Sequence, residues 1–122
     1  MSAEHLSFIV PGKPQPKQRA RRGASGHWYT PEPTKRYEAE VAKAALVEMQ
    51  RHGIRRGTFT PPITIAVRCY FKDHRRRDGD NVLKAVQDAC NGIVWDDDSD
   101  VRDARVTTAI DRDVPRTEVT IS

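Results

Sequence analysis

A chain of 122 residues, 31% charged and 37% hydrophobic, has the length of one domain with a real core and little apolar surplus. Its formal net charge of +4 favours an anionic partner, of which nucleic acid is the commonest. No apolar run approaches the roughly 20 residues of a membrane span, and Met1–Val10 lacks the basic-then-apolar order of a secretion signal.

His5–Gly12 alternates apolar residues at Leu6, Phe8 and Val10, the pattern of a strand, and Pro11-Gly12 stops it. Residues 13–33 are rich in Pro, Gly, Lys and Arg without periodicity, which predicts a loop that is long for so small a domain. Thr34 is placed to cap a helix running to about His52, with Gly53 just past its end and Val41, Ala42, Ala45, Leu46 and Met49 as its core stripe. Pro61–Phe71 reads as a strand with Ile63, Ile65, Val67 and Cys69 on one face. A second helix covers about Asn81–Asn91, with Val82, Leu83, Val86, Ala89, Cys90 and Ile93 supplying its apolar side and Lys84, Asp88 and Asn91 its polar one. Two final strands, Ala104–Asp113 and Arg116–Ser122, are expected to join as a hairpin near Val114-Pro115.

The order β-α-β-α-β-β predicts a single α+β domain over residues 1–122, its helices packed on a mixed sheet and its basic loop at about 13–33. Cys69 and Cys90 stand among apolar residues and cannot form a structural zinc site by themselves. They read as buried thiols in a reducing cytoplasm.

The chemistry gathers in Arg75–Val101. Asp78 and Asp80 are two apart, so in an extended segment both side chains project from one face, with Gly79 allowing a tight bend. Such a pair of hard oxygen ligands suits Mg²⁺ or Mn²⁺. The same spacing also reads as a helix cap at Asp80 and an arginine partner at Asp78. Lys84 follows Asp80 by one helical turn and can reach the same place. Further on, Asp96, Asp98 and Asp100 have the spacing that opens a calcium loop. Val101 and Thr107 stand where that loop needs glycine and glutamate, so the calcium reading fails. A solvated acidic turn remains open, although Trp95 and Val101 flank the aspartates as apolar anchors.

DGDNVLKAVQDACNG followed by WDDDSDV resembles the signature of the RusA family, Holliday junction resolvases (crossover junction endodeoxyribonucleases) common in phages and prophages. PGKPQPKQRARR and WYTPEPTKRYE are similar to the loop and helix start of the phage-type branch, so the resemblance covers nearly the whole chain. It implies a RusA-like α+β homodimer in the cytoplasm of a bacterial or phage-infected cell. Such a dimer would nick opposed strands of a four-way DNA junction, using Mg²⁺ with Mn²⁺ as a substitute, in recombination and repair. The family's catalytic carboxylates fall on Asp78, Asp80 and Asp98 and its lysine on Lys84, with Asp97 a further candidate for the metal. Two departures stand out. Asp100 replaces the usual glutamine, which leaves open which aspartates of 96–100 bind metal, and Cys90 replaces a core leucine.

On this reading Arg75, Arg76 and Arg77 contact phosphates beside the cut, the alternative being a solvated run that offsets the aspartates. Lys17, Arg19, Arg21 and Arg22 form a second basic patch. Trp28 and Tyr29 are available for stacking but are expected to pack at the start of the first helix. One chain is expected to hold Asp78, Asp80, Asp98 and Lys84 as a single cluster, so a second copy supplies the second cut. Two other functions fit part of the pattern. A metal-dependent nuclease for flaps or other branched DNA accounts for the same residues, whereas a non-catalytic DNA-binding protein leaves the aspartates around Lys84 without a reason.

Overall fold

The computed structural model describes residues 4–122; the first three residues of the predicted domain lie outside them. The elements are β1 (Leu6–Pro11), a short ribbon of β2 (Arg21–Arg22) and β3 (Trp28–Tyr29), α1 (Glu32–Arg51), β4 (Ile63–Phe71), α2 (Gly79–Cys90), a 3₁₀ turn at Asp98–Asp100, β5 (Val101–Ile110) and β6 (Arg116–Ile121). This is the expected mixed-sheet α+β domain with two helices.

The main sheet runs β1-β6-β4-β5. Strand β6 is antiparallel to both β1 and β4, and β4 is parallel to β5. The expected hairpin of the last two strands is therefore overturned, because β6 pairs with β1 and β4 and not with β5. Burial explains the choice. Thr117, Val119 and Ile121 of β6 are at most 1% exposed, which a central lane provides and an outer lane beside β5 would not. Strand β5 has no fully buried residue, as suits a sheet edge.

One face of the sheet carries the core. Leu6, Phe8 and Val10 of β1, Ile63, Ile65, Val67, Cys69 and Phe71 of β4, and the buried positions of β6 alternate with residues on the open face. Both helices cover the core face. Strand β5 sends Val106 and Thr108 to the same side, where Gly79 of α2 packs on them.

Helix α1 starts three residues earlier than a cap at Thr34 would place it. Pro31 occupies the cap without a side-chain bond, and Pro33 sits in the first turn, where a missing N–H is harmless. Thr34 is not the cap. It is fully buried, and its hydroxyl accepts the Gln18 N–H at 3.0 Å, tying the basic loop to the helix. The buried stripe is Thr34, Tyr37, Val41, Ala45 and Met49, narrower than expected: Ala42 is half-buried and Leu46 exposed. The two thiols are buried as expected, and burial pushes each up to about 12. No helix among the described residues is long and apolar enough to cross a membrane.

Tyr37 reaches from α1 to the sheet, where its hydroxyl meets Thr117 Oγ1 at 2.5 Å in the core, and burial raises its pKa far above the ordinary value. Thr117→Val leaves that hydroxyl without a partner and is expected to cost about 1–3 kcal/mol. Adding Tyr37→Phe should recover part of the loss, because an apolar pair needs no hydrogen bond. Urea unfolding of both variants measures this; a double variant less stable than the single one would contradict it.

Candidate active site

After β4 the chain makes a tight loop before α2. Arg77 closes it, donating to the Asp73 carboxylate, to the Asp73 carbonyl at 3.1 Å and to the Arg75 carbonyl at 3.0 Å, with its guanidinium 5.0 Å over the Phe71 ring. The Arg77 contact and the Arg75 N–H hold the Asp73 carboxyl down at about 2. Arg77, expected on DNA phosphates, is thus an internal staple with its side chain 20% exposed. Arg75, at 3.9 Å from the Asp73 carboxylate but with its side chain 81% exposed, and the exposed Arg76 can still reach a ligand.

Asp78 caps α2. Its Oδ1 accepts the Asn81 N–H at 3.3 Å and its Oδ2 accepts from Asn81 Nδ2 at 2.9 Å. Asp80 lies in the first turn, where the helix N-terminus favours a negative charge. The two carboxylates do not share an extended segment, so their alignment differs from the sequence expectation. Gly79 serves close packing, not a bend: a Cβ there would come 3.2 Å from Thr108 Cγ2. Lys84 is exposed one turn beyond Asp80, and neither makes an ion pair among the described residues.

The second acidic group stands at the other end of α2. After Cys90, the Gly92 N–H donates to the Trp95 carbonyl at 2.8 Å and turns the chain. Trp95 is 1% exposed, and its Nε1–H donates to Asp98 Oδ1 at 2.9 Å. Trp95 is therefore the expected apolar anchor, and it also aims a carboxylate. Asp97 caps the 3₁₀ turn by accepting the Ser99 N–H at 3.0 Å, and Asp96 pairs with Arg56 at 3.2 Å.

Helix α2 has twelve residues, about 18 Å at 1.5 Å per residue. Asp78 caps its start and Asp80 lies in its first turn, while Asp97 and Asp98 lie beyond its last. The expected single cluster of Asp78, Asp80, Asp98 and Lys84 within one chain is thus not formed. The reason is the parallel β4–α2–β5 connection, which returns the chain to the opposite end of the sheet before β5 begins. Among the described residues no three His, Cys, Asp or Glu side chains gather where they could hold one ion. The all-carboxylate donors suit a hard divalent cation in kind, but one chain falls short in number.

The basic loop is pinned to the helices. The Lys17 N–H donates to the Asn81 carbonyl at 2.9 Å, and Lys17 Nζ meets Glu38 at 3.0 Å and also Asp88. Burial alone would lower this ammonium's pKa, but the Asp88 and Glu38 contacts outweigh it and raise the pKa. Lys17 is thereby spent on docking the loop and is not the free phosphate contact expected, whereas Arg19, Arg21 and Arg22 are exposed.

Two cations escaped the sequence reading. Pro11 of β1 and Tyr70 of β4 both pair with Arg116 of β6, so the segments that follow them leave the sheet side by side. Lys13 and Lys72 lie on these segments, and repulsion from Lys72 lowers the pKa of the Lys13 ammonium, with Arg75 and Arg77 adding to the effect. Only the position of β6 brings them together. Trp28 and Tyr29 also depart from expectation, since they are 68% and 50% exposed and not packed at the start of α1.

A family model described as Endodeoxyribonuclease RusA matches residues 11–122. No match was found among curated proteins.

The Asp73–Arg77 staple carries a pH signature. The folded carboxyl lies at about 2 against an ordinary 3.8, so its stabilising contribution is complete above about pH 5 and is lost as pH falls through about 2. Asp73→Asn should therefore lower the urea midpoint at neutral pH, and the gap to wild type should close near pH 2. A gap that stays constant with pH would contradict the assignment.

Proposed function

Because the chain belongs to the RusA endodeoxyribonuclease family, we propose that it resolves four-way DNA junctions as a homodimer. It nicks two opposed strands with Mg²⁺, or Mn²⁺ in its place, in DNA recombination and repair. The observation that carries this reading is the division of the carboxylates between the two ends of α2. A site using Asp78, Asp80 and Asp98 needs two chains.

The sheet offers a way to join them. Strand β5 is ten residues long and forms an edge, so its outer backbone groups are free to pair with a second copy. Antiparallel pairing about the middle of β5 lays the start of the partner's strand beside Thr108–Ile110. That is the end where Gly79 packs and where Asp78 and Asp80 stand. Asp98 of the partner subunit, with Asp97 of the partner subunit beside it, then completes each acidic site. Two-fold symmetry makes two sites, matching the two cuts and the approximate symmetry of a four-way junction.

The carboxylates of both chains would hold the cation, which when bound stabilises charge on the scissile phosphate and lowers the pKa of an attacking water. Lys84, exposed one turn from Asp80, presents a compact positive charge to the phosphate or leaving oxygen. Trp95 holds Asp98 in a fixed orientation. Arg75, Arg76, Arg19, Arg21 and Arg22 would bind flanking phosphates, and Lys13 and Lys72 extend that surface.

Incubation with a synthetic four-way junction and a matched linear duplex, in Mg²⁺ or EDTA, tests the proposal. Paired nicks confined to the junction and abolished by EDTA are expected; equal cutting of the duplex would sink the reading. Asp78→Asn, Asp80→Asn and Asp98→Asn should each abolish cleavage while junction binding persists. Lys84→Ala should slow cleavage by on the order of 10²–10³-fold with little loss of binding. Replacing Arg75 and Arg76 together should instead weaken binding and flatten its salt dependence, because phosphate contacts release counterions.

A further inference from the structure

The aromatic side chains of the β2–β3 ribbon, Trp28 and Tyr29, have no part in the proposed cleavage. The ribbon's four strand residues, Arg21, Arg22, Trp28 and Tyr29, are all exposed. Leaving a tryptophan 68% open forgoes the burial that a large aromatic side chain normally gains. The ribbon is nevertheless a built element. The Gly23 N–H donates to the His27 carbonyl at 2.8 Å and the Gly26 N–H to the Gly23 carbonyl at 3.0 Å, closing the turn. Gly26 takes φ +85°, a conformation that L side chains rarely adopt. The segment leading into the ribbon is pinned by Lys17 to Glu38 and Asp88 and by the Gln18 N–H to Thr34. A fixed base thus carries an exposed aromatic tip.

The pairing arranges that tip. Arg21 lies opposite Tyr29 and Arg22 opposite Trp28. Residues directly opposite share a face and consecutive residues alternate, so each face of the ribbon presents one aromatic and one arginine. Nucleobases stack on exposed aromatic rings, and arginines meet the phosphates beside them. A linear duplex offers stacked bases with no open face. A branch point, where stacking is interrupted, offers base faces on either side of a gap.

We propose that the ribbon is a base-stacking wedge that recognises the open centre of branched DNA, with Trp28 and Tyr29 engaging bases on its two sides and Arg21 and Arg22 their phosphates. Tight binding to the branch then depends on the aromatics, and binding to duplex on the basic residues alone. This inference rests on the reading of branched DNA as the substrate.

Binding of wild type, Trp28→Ala, Trp28→Phe and Tyr29→Ala to a synthetic four-way junction and to the matched duplex separates the possibilities. Trp28→Ala is expected to lose about tenfold or more in junction affinity, with duplex affinity unchanged and Trp28→Phe largely restoring the junction preference. Tyr29→Ala should lose junction affinity in the same selective way. A circular dichroism spectrum and urea midpoint matching wild type serve as the check that the variants are folded. A junction preference that survives Trp28→Ala and Tyr29→Ala overturns the wedge alone, as does an equal loss on both substrates. A wild-type protein without junction preference overturns both the wedge and the function it rests on.

Discussion

The parallel connection from β4 through α2 to β5 is the constraint on which the rest depends. Parallel neighbours cannot be joined by a tight turn, so the chain must cross the sheet and come back. Here the return is a twelve-residue helix whose buried face includes Val82, Ala85, Val86, Ala89 and Cys90. Gly79 lets its first turn settle on Val106 and Thr108, and Trp95 fills the core just past its end. With both ends pinned, Asp78 and Asp80 are held apart from Asp97 and Asp98 by the length of the helix. The same packing that makes the fold stable divides these acidic residues between the two ends of α2.

Positive charge is divided in another way. Lys17 and Arg116 each bridge two carboxylates, Arg77 pairs with Asp73, and Arg77 and Arg116 also lie over aromatic rings. Such partly exposed pairs contribute only modestly to stability. What they set is position, fixing the basic loop, the turn before α2 and the β5–β6 connection. Arg19, Arg21, Arg22, Arg75 and Arg76 are left exposed. Charge composition counts both groups alike, although only the second is free to meet an anion.

The elements built on strong periodicity were legible in the sequence. Strands β1 and β4, α2 and most of α1 follow from their apolar spacing, and the β-α-β-α-β-β order led to the right fold class. Trp95 was recognisable as an anchor because it flanks an acidic turn. What escaped depends on which lane a strand occupies. A short connection near Val114-Pro115 suits a hairpin locally, but Thr117, Val119 and Ile121 gain full burial between β1 and β4. That lane also gathers Lys13 and Lys72, which nothing local could indicate. Thr34 looked like a cap because its hydroxyl suits one, yet that hydroxyl bonds to Gln18 across the loop. The aspartates were recognisable by their resemblance to a known signature, but their separation is a property of the crossover.

In the proposed dimer each acidic site is shared between two chains, and mixing subunits probes that sharing. Asp80→Asn and Asp98→Asn chains would be purified separately, each inactive on a four-way junction, then mixed and allowed to exchange. In a shared site the mixed dimer places both substitutions in one site and leaves the other intact, so the account predicts that nicking reappears. Had each chain carried a complete site of its own, every site in the mixture would hold one substitution. A mixture shown to contain mixed dimers yet remaining as inactive as its two components would contradict the account.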